Sequence, residues 1–375
     1  MIKNTLLGTA LAFALLQGCS QAPSPKASDG IETKVQALVG RMTLEEKIGQ
    51  MMQVSPGGPQ DALKEAIRKG EIGSVLNVIG AAQVNELQKV AVEESRLGIP
   101  LIIGRNVIHG FRTIFPIPLG MAASWNEDLV RESAAIAAKE AASVGIRWTF
   151  APMVDVSRDP RWGRIAESAG EDPLLNAMVA RAMVQGFQGP DMSSPDRIAA
   201  CVKHYVGYGA AEGGRDYNTT IIPKIYLHNV YLPPFKEGVK AGAATFMSAF
   251  NDINGIPASG NEYTIRKTLK ESYGFDGFVV SDWASIYEMI EHGYVADSKE
   301  AAQKGLRAGV DMEMASRTYI DNLKALLDEG QVKMEWIDDA VARILRIKFR
   351  LGLFDNPYTD EKLAGAVRIL SCFPI

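Results

Sequence analysis

Cysteine is scarce in this 375-residue chain, with three in all, at positions 19, 201 and 372. The last two are far apart, so they do not make the disulfide framework that staples small secreted domains. Neither lies in a Cys-x-x-Cys or Cys/His cluster, so no zinc site is expected, and Cys201 reads as core. An excess of one charge is missing as well. The net charge is −4 and no long basic run occurs, which argues against a nucleic-acid partner. Long hydrophobic runs are also wanting: past the first residues none reaches the ~18 apolar positions of a membrane-spanning helix. What remains is ordinary globular composition, 47% hydrophobic and 22% charged, enough for one large domain or two smaller ones.

The first residues are a different material. Lys3 precedes an apolar run over 6–16, of signal-peptide rather than membrane-spanning length. Leu16-Gln17-Gly18-Cys19 then resembles the bacterial lipoprotein box, although Gln17 is not the usual small residue. The resemblance implies removal of residues 1–18 and lipidation of Cys19, with an ordinary cleaved signal as the alternative. Residues 19–30, rich in Ser, Pro and Ala, read as a flexible tether. The expected location is exported and periplasmic, with membrane contact only through that anchor.

From residue 31 onward the pattern is periodic. Val35, Leu38, Val39 and Met42 fall at helical spacing, and Thr43-Leu44-Glu45-Glu46 has the form of a capping box. Short apolar runs follow at about 50–54, 72–78, 100–104, 147–151, 199–203, 244–249, 277–281 and 309–313, separated by segments with helical periodicity. Alternating strands and helices predict parallel strands with crossover helices, and eight units fit a (β/α)₈ TIM-type barrel. A doubly wound open sheet is the alternative. One crossover helix is predicted in detail, with Asn126 as N-cap, a face of Leu129, Ser133, Ile136, Ala137 and Val144, and Gly145 as its stop.

Polar residues gather where the apolar runs end. Gly277-Phe278-Val279-Val280-Ser281-Asp282-Trp283 reads as a buried strand delivering a carboxylate to its C-terminal end, followed by a helix from about Ser285. Asp282 is either a reacting group or the cap of that helix. Arg105, Asn106 and His109 follow another run, and Asp155, Arg158, Asp159, Arg161 and Arg164 the next. Lys203-His204 and Met247-Ser248-Ala249-Phe250-Asn251 close two more. Taken singly, His109 reads as a satisfied core histidine, and the arginines with Asp155 and Asp159 as a salt-bridge network. Lys203 is harder to place in a core without a partner. The glycine-rich stretch 207–214 lacks both nucleotide fingerprints.

These stretches resemble the N-terminal catalytic domain of the glycoside hydrolase family 3 β-glucosidases, of the periplasmic bacterial type. The likeness runs from about Val35 to Tyr358. It is carried by Val107-Ile108-His109-Gly110-Phe111-Arg112-Thr113-Ile114-Phe115-Pro116, Arg158-Asp159-Pro160-Arg161-Trp162-Gly163-Arg164, Lys203-His204-Tyr205, Gly213-Gly214-Arg215-Asp216-Tyr217-Asn218, Met247-Ser248-Ala249-Phe250-Asn251 and Ser281-Asp282-Trp283. It implies that Asp282 is the nucleophile of a retaining glycosidase and that Trp283 walls the sugar subsite. Arg164, Lys203 and His204 would hold the sugar hydroxyls, and Met247 would line the pocket. The implied partner is a β-glucoside or oligosaccharide; no metal or organic cofactor is implied, nor any protein partner.

Two departures qualify the likeness. Relatives carry aspartate where this chain has Asn106, and an amide offers one acceptor oxygen where a carboxylate offers two. After Leu353-Phe354-Asp355-Asn356-Pro357-Tyr358 only residues 359–375 remain, where the family's β-glucosidases continue into an α/β sandwich domain that supplies the general acid/base. A barrel without that domain is expected to cleave activated glucosides and to turn over disaccharides poorly, with a non-catalytic sugar-binding lipoprotein or a gene fragment as the competing class. A β-xylosidase is the other enzyme reading.

Overall fold

The computed structural model describes residues 27–58 and 60–363. The expected signal segment, Cys19, most of the tether and Cys372 lie outside the described residues. Each of the eight apolar runs holds one strand: β1 (Met52–Val54), β2 (Ser74–Leu76), β3 (Ile102–Arg105), β4 (Trp148–Thr149), β5 (Cys201–Tyr205), β6 (Thr245–Ser248), β7 (Phe278–Trp283) and β8 (Met312–Met314). The strands are parallel and ordered β4-β3-β2-β1-β8-β7-β6-β5, with Gln53 opposite Ser74 and Phe246 opposite Val279. The ends of that order meet. Thr149 N–H donates to Ala199 O at 2.9 Å and Lys203 N–H to Pro152 O at 2.9 Å, so β4 and β5 approach closely enough to make a nearly closed barrel.

Burial on both faces explains why these strands read as continuous apolar runs rather than alternating ones. Trp148 on β4 meets Phe278 on β7 edge to face at 5.1 Å, and its indole N–H donates to Thr245 Oγ1 on β6 at 2.8 Å. Contacts between strands that are not neighbours cross the barrel interior, so large aromatics plug it near the strand starts. The C-terminal ends are left for polar side chains.

Helices cover the outside, and their ends follow the sequence chemistry. Thr43 Oγ1 accepts from Glu46 N–H while Glu46 accepts from Thr43 N–H, a complete capping box. Asn126 Oδ1 accepts from Asp128 and Leu129 N–H at the start of Glu127–Ala142. Three expectations need correction. Leu129 is 54% exposed, because Val130 takes the core position beside it, while Ser133, Ala137 and Val144 of the predicted face are buried. Helix Ala27–Val39 begins inside the stretch read as tether, since its continuation packs on Met334–Arg350 and Arg346 pairs with Glu32 at 2.8 Å. After β7 the chain makes only a short 3₁₀ turn, Tyr287–Met289, and the crossover helix waits until Ser298–Ala308.

Candidate active site

The late start of that crossover helix, at Ser298, bears on the role of Asp282. The crossover helix is capped by Asp297, whose side chain accepts from Glu300 N–H at 2.9 Å, so Asp282 does not cap it. Its Oδ1 accepts from Trp283 N–H at 2.7 Å, while Oδ2 is buried without a hydrogen-bond partner. Burial raises its pKa, opposed chiefly by the nearby Lys203 charge. A carboxylate with one locked oxygen and one open oxygen is held in place yet still available.

Around it stand polar groups from three neighbouring strand ends. His204, wholly buried on β5, lies with Nε2 3.4 Å from Asp282 Oδ2. Its Nδ1 is 2.8 Å from Asp155 Oδ2, which also accepts from His204 N–H at 3.0 Å. Arg164 Nη2 is 3.0 Å from His204 Nε2. Because a guanidinium only donates, Nε2 must be the acceptor and the ring proton sits on Nδ1, facing Asp155. Burial, with Arg164 and Lys203 nearby, pushes the His204 pKa well below its usual value, so the ring is neutral and its contact with Asp282 is not an ion pair. Burial also lifts Asp155 to about 7, against the pull of the His204 amide.

Lys203 is buried on β5 and donates through Nζ to Asn106 Oδ1 at 2.9 Å, tying β5 to the end of β3. Burial lowers its pKa while the Asp282 charge resists. Arg164 forks onto Glu167, with Nε to Oε1 at 2.7 Å and Nη2 to Oε2 at 3.1 Å, and lies over the Tyr208 ring at 5.4 Å. Burial disfavours its charge, but the Glu167 pair outweighs that and raises its pKa. Two half-exposed aromatics flank the mouth: Trp283 at 48% exposure and Tyr217 at 46%, the latter 4.3 Å from the Phe250 ring. Such rings can cover the apolar face of a sugar while hydroxyls meet the charged groups.

The predicted residues thus divide. Asn106, Arg164, Lys203, His204 and Asp282 form one connected set, with Trp283 adjoining. Met247 is buried on β6, level with Val280 of β7, behind the polar layer. The arginine cluster splits: Arg161 pairs with Asp159 at the surface at 2.7 Å and Arg158 lies near the Tyr231 phenol, whereas Arg164 reaches His204 in the site. His109 serves its own loop, with Nδ1 3.0 Å from Phe115 O. Cys201 is buried in β5, its thiol pushed up to about 12 by burial. Glu167, Tyr208 and Glu288 were not expected. Glu167 alone had a usable signal, its spacing of three from Arg164.

The fold and this cluster define a parallel (β/α)₈ barrel with a polar, carboxylate-bearing pocket at its C-terminal mouth. Residues 43–347 match the glycosyl hydrolase family 3 N terminal domain, and the chain belongs to that family. It is 41% identical over 338 residues to the periplasmic beta-glucosidase of Salmonella typhimurium, a match spanning 90% of this chain and 44% of that protein. A beta-xylosidase of Formosa agariphila is 32% identical over 378 residues, 95% of this chain and 47% of its own. The crystal structure of a beta-glucosidase from Listeria innocua in complex with glucose superposes with a TM-score of 0.83 at 43% identity, covering 88% of this chain and 48% of that one. The chain therefore spans about half the length of the relatives it matches.

Proposed function

We propose that the protein is a retaining glycoside hydrolase that removes terminal non-reducing β-D-glucosyl residues, with Asp282 as nucleophile. The observation that carries the reading is the open Oδ2 of Asp282, buried among Lys203, His204 and Arg164 at the ends of parallel strands. Asp282 attacks the anomeric carbon, the glycosidic bond breaks, and a covalent glycosyl ester forms that water then hydrolyses with net retention. Lys203, Arg164 and Asn106 bind the sugar hydroxyls, the first two through charge-assisted hydrogen bonds that hold the ring in place for attack. His204, neutral and fixed by Asp155, presents Nε2 beside the reacting carboxylate. Met247 backs the pocket and Trp283 covers the sugar face.

The names of the relatives support a β-glucoside substrate, and a β-xyloside is the second reading because one relative is a beta-xylosidase. Comparing kcat/KM on aryl β-glucoside and aryl β-xyloside decides between them, with the glucoside expected to lead. The signal-like start of the sequence, together with a periplasmic relative, supports an exported protein, with Cys19 as lipid attachment site and residues 19 to 26 as the remaining tether. Retention of metabolic palmitate label by wild type and its loss in Cys19→Ser tests that assignment. A freely soluble, unlabelled wild-type protein would contradict it.

A further inference from the structure

A cleft of about 360 Å³ opens on the side of the barrel between the helices Tyr263–Ser272 and Ser298–Ala308. That volume falls among small-molecule sites, about 300–1,000 Å³. None of the residues assigned to sugar binding or catalysis lines it. Gly260, at the end of the 3₁₀ turn Ala258–Gly260, forms part of its wall. A Cβ at Gly260 would fall 3.1 Å from Tyr294 Cε1, so the lack of a side chain lets the Tyr294 ring lie against backbone. Ser259 braces the turn, its Oγ 2.7 Å from Ser248 Oγ at the end of β6 and 2.8 Å from Ser285 Oγ beyond β7.

The charge of this cleft runs against that of the chain. Lys267, Lys304 and Arg307 line it with Glu262 as the one acid among the lining residues, whereas the whole chain stands at −4. These cations are only partly used. Arg307 donates through Nε to Glu262 Oε2 at 3.1 Å, and its Nη atoms have no partner among the described residues. Lys304 Nζ lies over the Tyr294 ring at 5.7 Å and is 3.9 Å from Glu300 Oε1, too long for a hydrogen bond. Lys267 is exposed and makes no ion pair among the described residues. Asn261 adds neutral donors: its Oδ1 accepts from Thr264 N–H at 3.2 Å, which leaves the amide N–H groups for the cleft.

We propose that this cleft binds an anionic saccharide, a sugar ring bearing a carboxylate or a phosphate, at a site apart from the catalytic pocket. Ammonium and guanidinium donors without partners favour anionic oxygens. The Asn261 amide and the Tyr294 phenol suit the hydroxyls of a ring, and the volume exceeds what a bare oxyanion fills. The proposal stands whether or not Asp282 is a nucleophile, because it shares no residue with that reading.

Isothermal titration of the full chain with glucuronate, glucose 6-phosphate, glucose and inorganic phosphate tests it. The two anionic sugars are expected to bind at least about 10-fold tighter than either glucose or phosphate, and more weakly as salt is added. Lys304→Glu and Arg307→Ala should each weaken them by about 10-fold or more, and leave the thermal transition and kcat/KM on an aryl β-glucoside unchanged. Lys267→Glu, at an exposed and unpaired position, repeats the test where folding is not at stake. Equal affinity for glucose and the anionic sugars, phosphate binding as tight as glucose 6-phosphate, or anion binding untouched by the three substitutions would overturn the proposal.

Discussion

Both ends of the barrel bury charge, and they do so differently. At the N-terminal end, Lys348 is fully buried and donates to Gln50 Oε1 at 2.6 Å and Gly73 O at 2.9 Å, just ahead of β1 and β2. Lys270 meets Asp311 Oδ1 at 2.6 Å, and the other oxygen of Asp311 accepts from Val279 N–H at 2.8 Å. These groups pin strand starts to covering helices, and each has its partners. At the C-terminal end the desolvation is similar, yet Asp282 Oδ2 and Asp155 Oδ1 are left without any. Satisfied buried charge reads as structure; buried charge with open valences around one pocket reads as chemistry, because only a substrate would repay its cost.

The largest break in that contrast is expected from Asp282→Ala, which should cut kcat on any aryl β-glucoside by about 10⁴-fold or more while the thermal transition stays close to wild type. Next comes Asp155→Asn. It replaces the acceptor of the His204 ring proton by an amide, and the loss of hydrogen bonds to a charged group, worth ~1.5–3 kcal/mol, predicts a 10- to 100-fold lower kcat with little change in KM. At the other end, burial drops Lys348 to about 7, whereas a free lysine titrates near 10.4. Between those values the unfolded chain holds more protons than the folded one, so this group makes stability rise with pH from about 7 to about 10 and fall again as pH drops toward 7. Lys348→Met should flatten that slope in urea unfolding and leave kcat/KM unchanged. Asn106→Asp, which gives Lys203 a charged partner and the sugar a second acceptor, should raise kcat/KM on an aryl β-glucoside several-fold, about 1 kcal/mol. Arg161→Ala removes an exposed pair outside the site and should change neither activity nor stability measurably.

The barrel was legible because its signal is repeated: eight buried runs, each between helical segments, leave few topologies. The strand-end residues Asn106, Lys203, His204 and Asp282 were legible for the same reason, since a polar residue directly after an apolar run lands on the functional face. Position relative to a strand could not sort the arginines. Arg158, Arg161 and Arg164 share one loop, and only the Glu167 fork turns Arg164 inward. Glu288 was hidden because the segment after Asp282 has helical periodicity, and a glutamate in such a segment reads as surface. Here the segment holds only a short 3₁₀ turn, and Glu288 Oε2 is left inside the protein without a partner. Leu129 illustrates the same limit, for its apolar neighbour Val130 takes the core position and one residue's difference moves a side chain from core to solvent.

In the proposed mechanism Asp282 is a nucleophile held open by its neighbours. The most direct measurement is incubation with dinitrophenyl 2-deoxy-2-fluoro-β-glucoside, followed by proteolysis and mass spectrometry. A stoichiometric glycosyl adduct on Asp282, absent in Asp282→Ala and slow to form in Asp155→Asn, is the result expected. An adduct on a different carboxylate, or none under conditions where the protein binds the sugar, would contradict it.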